Sequence, residues 1–73
     1  MPHITIQMYS GRDEATKKRL ADAVLEAASK ELERGREHFS VSIEDVPQEE
    51  WKDKVYDKIL SDKNIIIKPG YTM

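Results

Sequence analysis

The sequence predicts an α/β fold: a βαβ unit with two parallel strands, a short second helix and a short C-terminal strand, completed by oligomerisation. Three observations point there. Two stretches, residues 4–9 and 39–43, alternate apolar and polar side chains with period two. Between them, residues 13–34 carry an apolar stripe with helical spacing. The whole chain has 73 residues, 38% of them hydrophobic and none of them cysteine. A core that thin, with no disulfide or thiolate metal site to staple it, is usually supported by a second copy.

Each element has a local reason. In residues 4–9, Ile4, Ile6 and Met8 alternate with Thr5 and Gln7, the pattern of a half-buried strand. Ser10 and Gly11 interrupt it. Asp13 suits the N-cap of the helix that follows, and Gly35 suits the position just past its end. Leu20, Val24, Ala27, Ala28 and Leu32 form its apolar stripe. Phe39, Val41 and Ile43 alternate with Ser40 and Ser42 in the second strand. Pro47 opens the second helical stretch, with Trp51, Val55, Ile59 and Leu60 on its inner face. Residues 61–64 read as a turn, and Ile65, Ile66 and Ile67 as a third strand, ended by Pro69 and Gly70. Residues 1–73 make one domain. A strand, a long helix and a strand imply a right-handed crossover and parallel pairing. Parallel sheets normally have both faces covered, and one amphipathic helix covers one.

Composition excludes several classes of function. Twelve basic residues face fourteen acidic ones, a net charge of −2, and the signs are interspersed. Nucleic-acid binders carry a basic stripe, and the lone cluster Lys17, Lys18 and Arg19 reads as the wet face of a helix. No apolar run reaches the roughly 18 residues of a membrane span. The start lacks a basic segment followed by an apolar one, so no signal peptide is expected and the expected location is the cytosol. His3 and His38 fit no metal-ligand spacing, and no glycine-rich phosphate loop or G-x-S-x-G elbow is present. The carboxylates Glu49, Glu50, Asp53 and Asp57 interleave with lysines as a solvated ion-pair face.

Pro2 stands apart. Removal of Met1 before this small residue leaves a prolyl secondary amine at the N-terminus. An α-amino group titrates at about 7.7–8.0, and burial or a nearby cation lowers that value. A neutral base near pH 7 is where general-base chemistry works best. Taken alone, a proline there is also simply the start of an edge strand.

The surrounding layout adds weight. Pro2, an alternating strand, Gly11-Arg12 at its end and a long helix resemble the 4-oxalocrotonate tautomerase superfamily. The start M-P-H-I, the Pro47-to-Trp51 stretch and the end Lys68-Pro69-Gly70-Tyr71-Thr72-Met73 look most like the PptA-type tautomerases. The resemblance covers the whole chain. It implies a keto–enol tautomerase without a cofactor, acting on a small enol or keto acid such as a 2-hydroxy-dienoate or a phenylpyruvate-like enol.

The resemblance also assigns roles. Pro2 matches the catalytic proline that moves a proton between the oxygen and carbon ends of an enol. Arg12 matches the arginine that grips a substrate carboxylate, and a guanidinium does so bidentately. Trp51 falls where the family places an aromatic wall beside the proline. The 4-oxalocrotonate enzymes carry a second arginine where this chain has Ser40, as PptA-type chains also lack it. That favours a substrate with one carboxylate and an aromatic ring; Arg36 and Lys68 are the candidates for a replacement charge. The superfamily includes hexamers, trimers and dimers, and the PptA-like tail favours a homodimer. It also includes hydratases and dehalogenases, in which prolyl ammonium is the acid and a carboxylate activates water; Glu44 and Asp45 are the residues to watch for that chemistry. A third reading keeps the oligomeric scaffold without the chemistry.

Overall fold

Period-two alternation at the start of the chain becomes strand β1, His3–Tyr9, in the computed structural model, which describes residues 1–73. Helix α1 spans Glu14–Leu32 and strand β2 Ser40–Val46. The strands are parallel neighbours, in register from His3 opposite Ser40 to Tyr9 opposite Val46. That register sets the faces. Ile4, Ile6 and Met8 share one with Val41 and Ile43, all half-buried. His3, Thr5 and Gln7 share the other with Ser40, Ser42 and Glu44, all exposed. Side chains on the polar face bond across the strands: His3 Nδ1 lies 2.6 Å from Ser40 Oγ, and Gln7 Nε2 donates to Glu44 Oε1 at 2.7 Å.

Helix α1 begins where the sequence places it. Asp13 is the N-cap, and its Oδ1 accepts from the Thr16 backbone N–H at 2.8 Å. The Thr16 side chain first, and then this backbone bond, stabilise the ionised form and hold the Asp13 carboxyl below the usual carboxylate range. One turn later Lys17 reaches Asp45 on β2 at 2.9 Å and Glu14 at 3.2 Å, which seats α1 against the apolar face. The helix ends earlier than expected. Glu33 takes the left-handed conformation, φ 53°, and its N–H bonds back to Lys30. Gly35 instead precedes a 3₁₀ turn, Arg36–His38.

The turn from β1 into α1 depends on Gly11, whose φ is 122°. A Cβ there would meet no atom within 4 Å, so an alanine is penalised by conformation and not by collision. Gly11→Ala should destabilise the fold by about 1–3 kcal/mol. A lower urea midpoint with an unchanged slope is the expected reading; an unaltered midpoint would show that the turn carries no strain.

Two later elements differ from expectation. After β2 the helical run is a 3₁₀ turn, Gln48–Glu50, a π-helical stretch, Lys52–Tyr56, and a single α-turn, α2, Asp57–Leu60. The wider π turn rotates the inner face, so Val55 and Tyr56 are both buried while Leu60 is exposed. The expected third strand does not form: residues 65–67 pair with neither β1 nor β2. A strand needs a neighbour to bond its backbone, and no strand of this chain pairs with the segment; Ile65 is half-buried, but Ile66 is 93% and Ile67 85% exposed.

The chain does not close on itself. Four residues are buried, Phe39, Val46, Val55 and Tyr56, and none of them lies on α1. The radius of gyration is 13.8 Å, against about 11 Å for a compact domain of this length. No helix is long and apolar enough to cross a membrane.

Candidate active site

Arg12 sits between Gly11 and the cap of α1, and this turn carries it to the C-terminal end of β1. There it lines a pocket of about 580 Å³ together with Ile6, Gln7, Met8, Tyr9, Leu20, Trp51 and Tyr71. Successive residues of β1, from both of its faces, take part. The pocket lies at the C-terminal half of β1, whose outer edge β2 leaves unpaired.

Three of its eight lining residues are aromatic. Trp51 meets Tyr9 edge to face, ring centres 5.0 Å apart. Its indole N–H donates to the Tyr71 hydroxyl at 3.0 Å, and the Tyr71 ring packs 5.5 Å from that of buried Tyr56. Four of the five aromatic side chains thus form one connected cluster, with Phe39 the exception. Arg12 is the pocket's one cation and makes no ion pair with any carboxylate of the chain, unlike Lys17, Arg36, Lys52 and Lys54. A free guanidinium beside aromatic walls is suited to an anion that carries a ring.

Arg12 and Trp51 are therefore brought together, and Pro2 is not among them. Pro2 is half-buried at the opposite end of β1, where its carbonyl accepts from the Ser40 N–H at 3.2 Å. Seven steps of strand separate Pro2 from Tyr9, about 23 Å at a rise of roughly 3.3 Å each. Met1 is 96% exposed, so its removal takes no packing away from Pro2. Ser40 bonds to the His3 ring. Arg36, a candidate replacement charge, is held by Glu26 at 2.8 Å and Asp22 at 3.4 Å. Lys68 makes no ion pair and does not line the pocket. Glu44 and Asp45, the carboxylates a water-activating chemistry would call on, are occupied by Gln7 and Lys17.

Six of the eight pocket residues are not singled out as site residues by the sequence, two of them aromatic. Tyr9 looked like the end of a strand, and Tyr71 like part of a tail. The Pro69-Gly70 pair that precedes Tyr71 marks a change of chain direction, and an aromatic directly after such a turn was the available signal.

The chain is similar to known proteins. A family model described as "Tautomerase enzyme" matches residues 2–63. A "Probable tautomerase" of Xylella fastidiosa (strain 9a5c) is 33% identical over 73 residues, covering 97% of this chain and 89% of the relative. A "Tautomerase PptA" of Cronobacter sakazakii is 32% identical over the full length of both chains. One of the same name from Pectobacterium atrosepticum is 31% identical over 99% of each. No solved structure matches at a significant level.

Proposed function

Because this chain belongs to the tautomerase family and is an isomerase, we propose that it converts the enol of an aryl 2-oxo acid into its keto form, with the Pro2 amine of one copy acting in the pocket of another. The observation that carries this reading is the pocket itself: one unpaired guanidinium, Arg12, facing the Tyr9, Trp51 and Tyr71 rings. It suits a monocarboxylate with an aromatic ring, phenylpyruvate enol being the simplest, better than a dicarboxylate, which would leave one charge without a partner.

The chemistry needs a base that the pocket of a single chain lacks. Pro2 supplies it once a second copy pairs its β1 antiparallel along the free β1 edge. A two-fold axis near Ile6 sets Pro2 of one copy opposite Ser10 of the other, two residues from Arg12. Edge pairing also suits the sheet's second face, whose exposed polar row disfavours burial against another sheet. It gives the half-exposed apolar face and α1 a longer surface to pack on as well.

The proton balance is simple. The neutral Pro2 amine takes the proton from the enol oxygen, leaving an enolate and a prolyl ammonium. The ammonium then returns a proton to the carbon beside the new carbonyl. Arg12 holds the carboxylate with two parallel hydrogen bonds and stabilises the enolate's charge. Trp51 and its aromatic neighbours exclude water, which keeps the amine neutral between turnovers. The test is ketonisation of phenylpyruvate enol, followed in the ultraviolet, with chain that begins at Pro2. Acceleration over the buffer rate supports the proposal, and a rate equal to buffer sinks it.

A further inference from the structure

An indole N–H can only donate a hydrogen bond, so the 3.0 Å contact between Trp51 Nε1 and the Tyr71 hydroxyl has one direction: Tyr71 accepts. A phenol has one proton of its own to give, and the structure records no acceptor for it. The ring is anchored through Tyr56, which is 6% exposed, while Tyr71 itself remains 47% exposed and lines the pocket that holds Arg12. The hydroxyl is thus held on one side by Trp51, and its own proton has no partner within the chain.

We propose that Tyr71 is a second binding residue, donating its hydroxyl proton to the substrate carboxylate that Arg12 grips. An ionised carboxylate offers about four lone-pair positions, and a bidentate guanidinium occupies two. A neutral donor beside the guanidinium takes a third without adding a cation that would need a second anion. On this account the C-terminal tail is part of the binding site, and the Trp51–Tyr71 bond is what aims the donor. The inference rests on the proposed function only for the pocket's being the carboxylate site.

Binding can be read without turnover, because Trp51 is the chain's single tryptophan and its fluorescence reports on this pocket. Phenylacetate is the probe, and uncharged phenylacetamide its control. Tyr71→Phe keeps the ring on Tyr56 and removes the hydroxyl. The expected result is phenylacetate binding about 10-fold weaker in Tyr71→Phe, the scale of a hydrogen bond to a charged group. Phenylacetamide affinity should change by less than about 3-fold, since a neutral acceptor gains less from the same donor. In the enol assay the same variant should raise KM and leave kcat near the parent value, the pattern of lost uniform binding. Circular dichroism and a melting curve check that the tail is still seated.

Equal phenylacetate affinity in parent and variant would overturn the assignment. So would equal losses for phenylacetate and phenylacetamide, which would make Tyr71 a wall and not a carboxylate donor, or a parent chain whose fluorescence phenylacetate leaves untouched. A parent that binds phenylacetate through Tyr71 yet accelerates no enol would refute the tautomerase proposal and leave this one standing.

Discussion

Chain that retains Met1 should turn over no enol, while chain that begins at Pro2 does. With Met1 attached, the Pro2 nitrogen is an amide whose lone pair is delocalised into the carbonyl, and it cannot accept a proton. Loss of a positioned acid–base group costs about 10²–10⁴-fold. Nothing else about the fold should change, because Met1 is 96% exposed and Pro2 is tethered through its carbonyl to Ser40. The pH profile carries the sign of the mechanism. Only the neutral amine works as the base, so the rate should fall as pH drops through the ammonium's pKa. In the proposed dimer, desolvation by the partner's aromatic walls and repulsion from its Arg12 would both disfavour the ammonium, so that fall is expected below the ordinary α-amino range. Pro2→Ala should lie between the two chains, since a primary amine is still a base but turns more freely. Both preparations are defined by intact mass, and the rates are compared across pH. Equal rates would remove Pro2 from the chemistry and leave the family's fold without its base.

Arg12→Ala should lower kcat/KM toward a 2-oxo acid enol by roughly 30-fold or more, from the about 2–5 kcal/mol cost of truncating one partner of a hydrogen-bonded charge pair. The stability of the chain should hardly move, because Arg12 is exposed and makes no ion pair with any carboxylate. Arg12→Lys should recover part of the loss, as a point charge without the planar fork. An unchanged kcat/KM would place the carboxylate elsewhere. A loss matched by a fall in the urea midpoint would mean that the substitution acts through the fold.

How far the sequence could be read divides along local and non-local lines. Strand β1, the Asp13 cap and the body of α1 follow from periodicity and one capping side chain, all local properties. The turn at Gly11 was legible because a glycine between a strand and an N-cap has few other uses. The limits of the second helix were not, because the π turn at Lys52–Tyr56 breaks the 3.6-residue period on which the stripe of Trp51, Val55, Ile59 and Leu60 was built. Ile65, Ile66 and Ile67 have the composition of a strand, but pairing is decided by an adjacent strand, and none of this chain's strands lies there. The site divides in the same way. Arg12 and Trp51 were named in sequence and meet in one pocket. The separation of Pro2 from Arg12 is legible too, since a strand runs between them, whereas the pocket that gathers Arg12 with Trp51 and leaves Pro2 out is a property of the folded chain. Tyr71 joins the pocket only through the fold-back of the tail.

The central claim is that Pro2 and Arg12 meet across two copies of the chain, and mixing two disabled chains tests it most directly. One chain retains Met1 and keeps Arg12. The other begins at Pro2 and carries Arg12→Ala. They are unfolded together, refolded at equal concentration and assayed for ketonisation of phenylpyruvate enol. In a two-fold dimer the mixed species has one site with both groups intact and one with neither, so random pairing should restore about a quarter of the parent activity. That recovery, well above the average of the two chains assayed separately, is the predicted result. Activity no greater than that average would contradict the account.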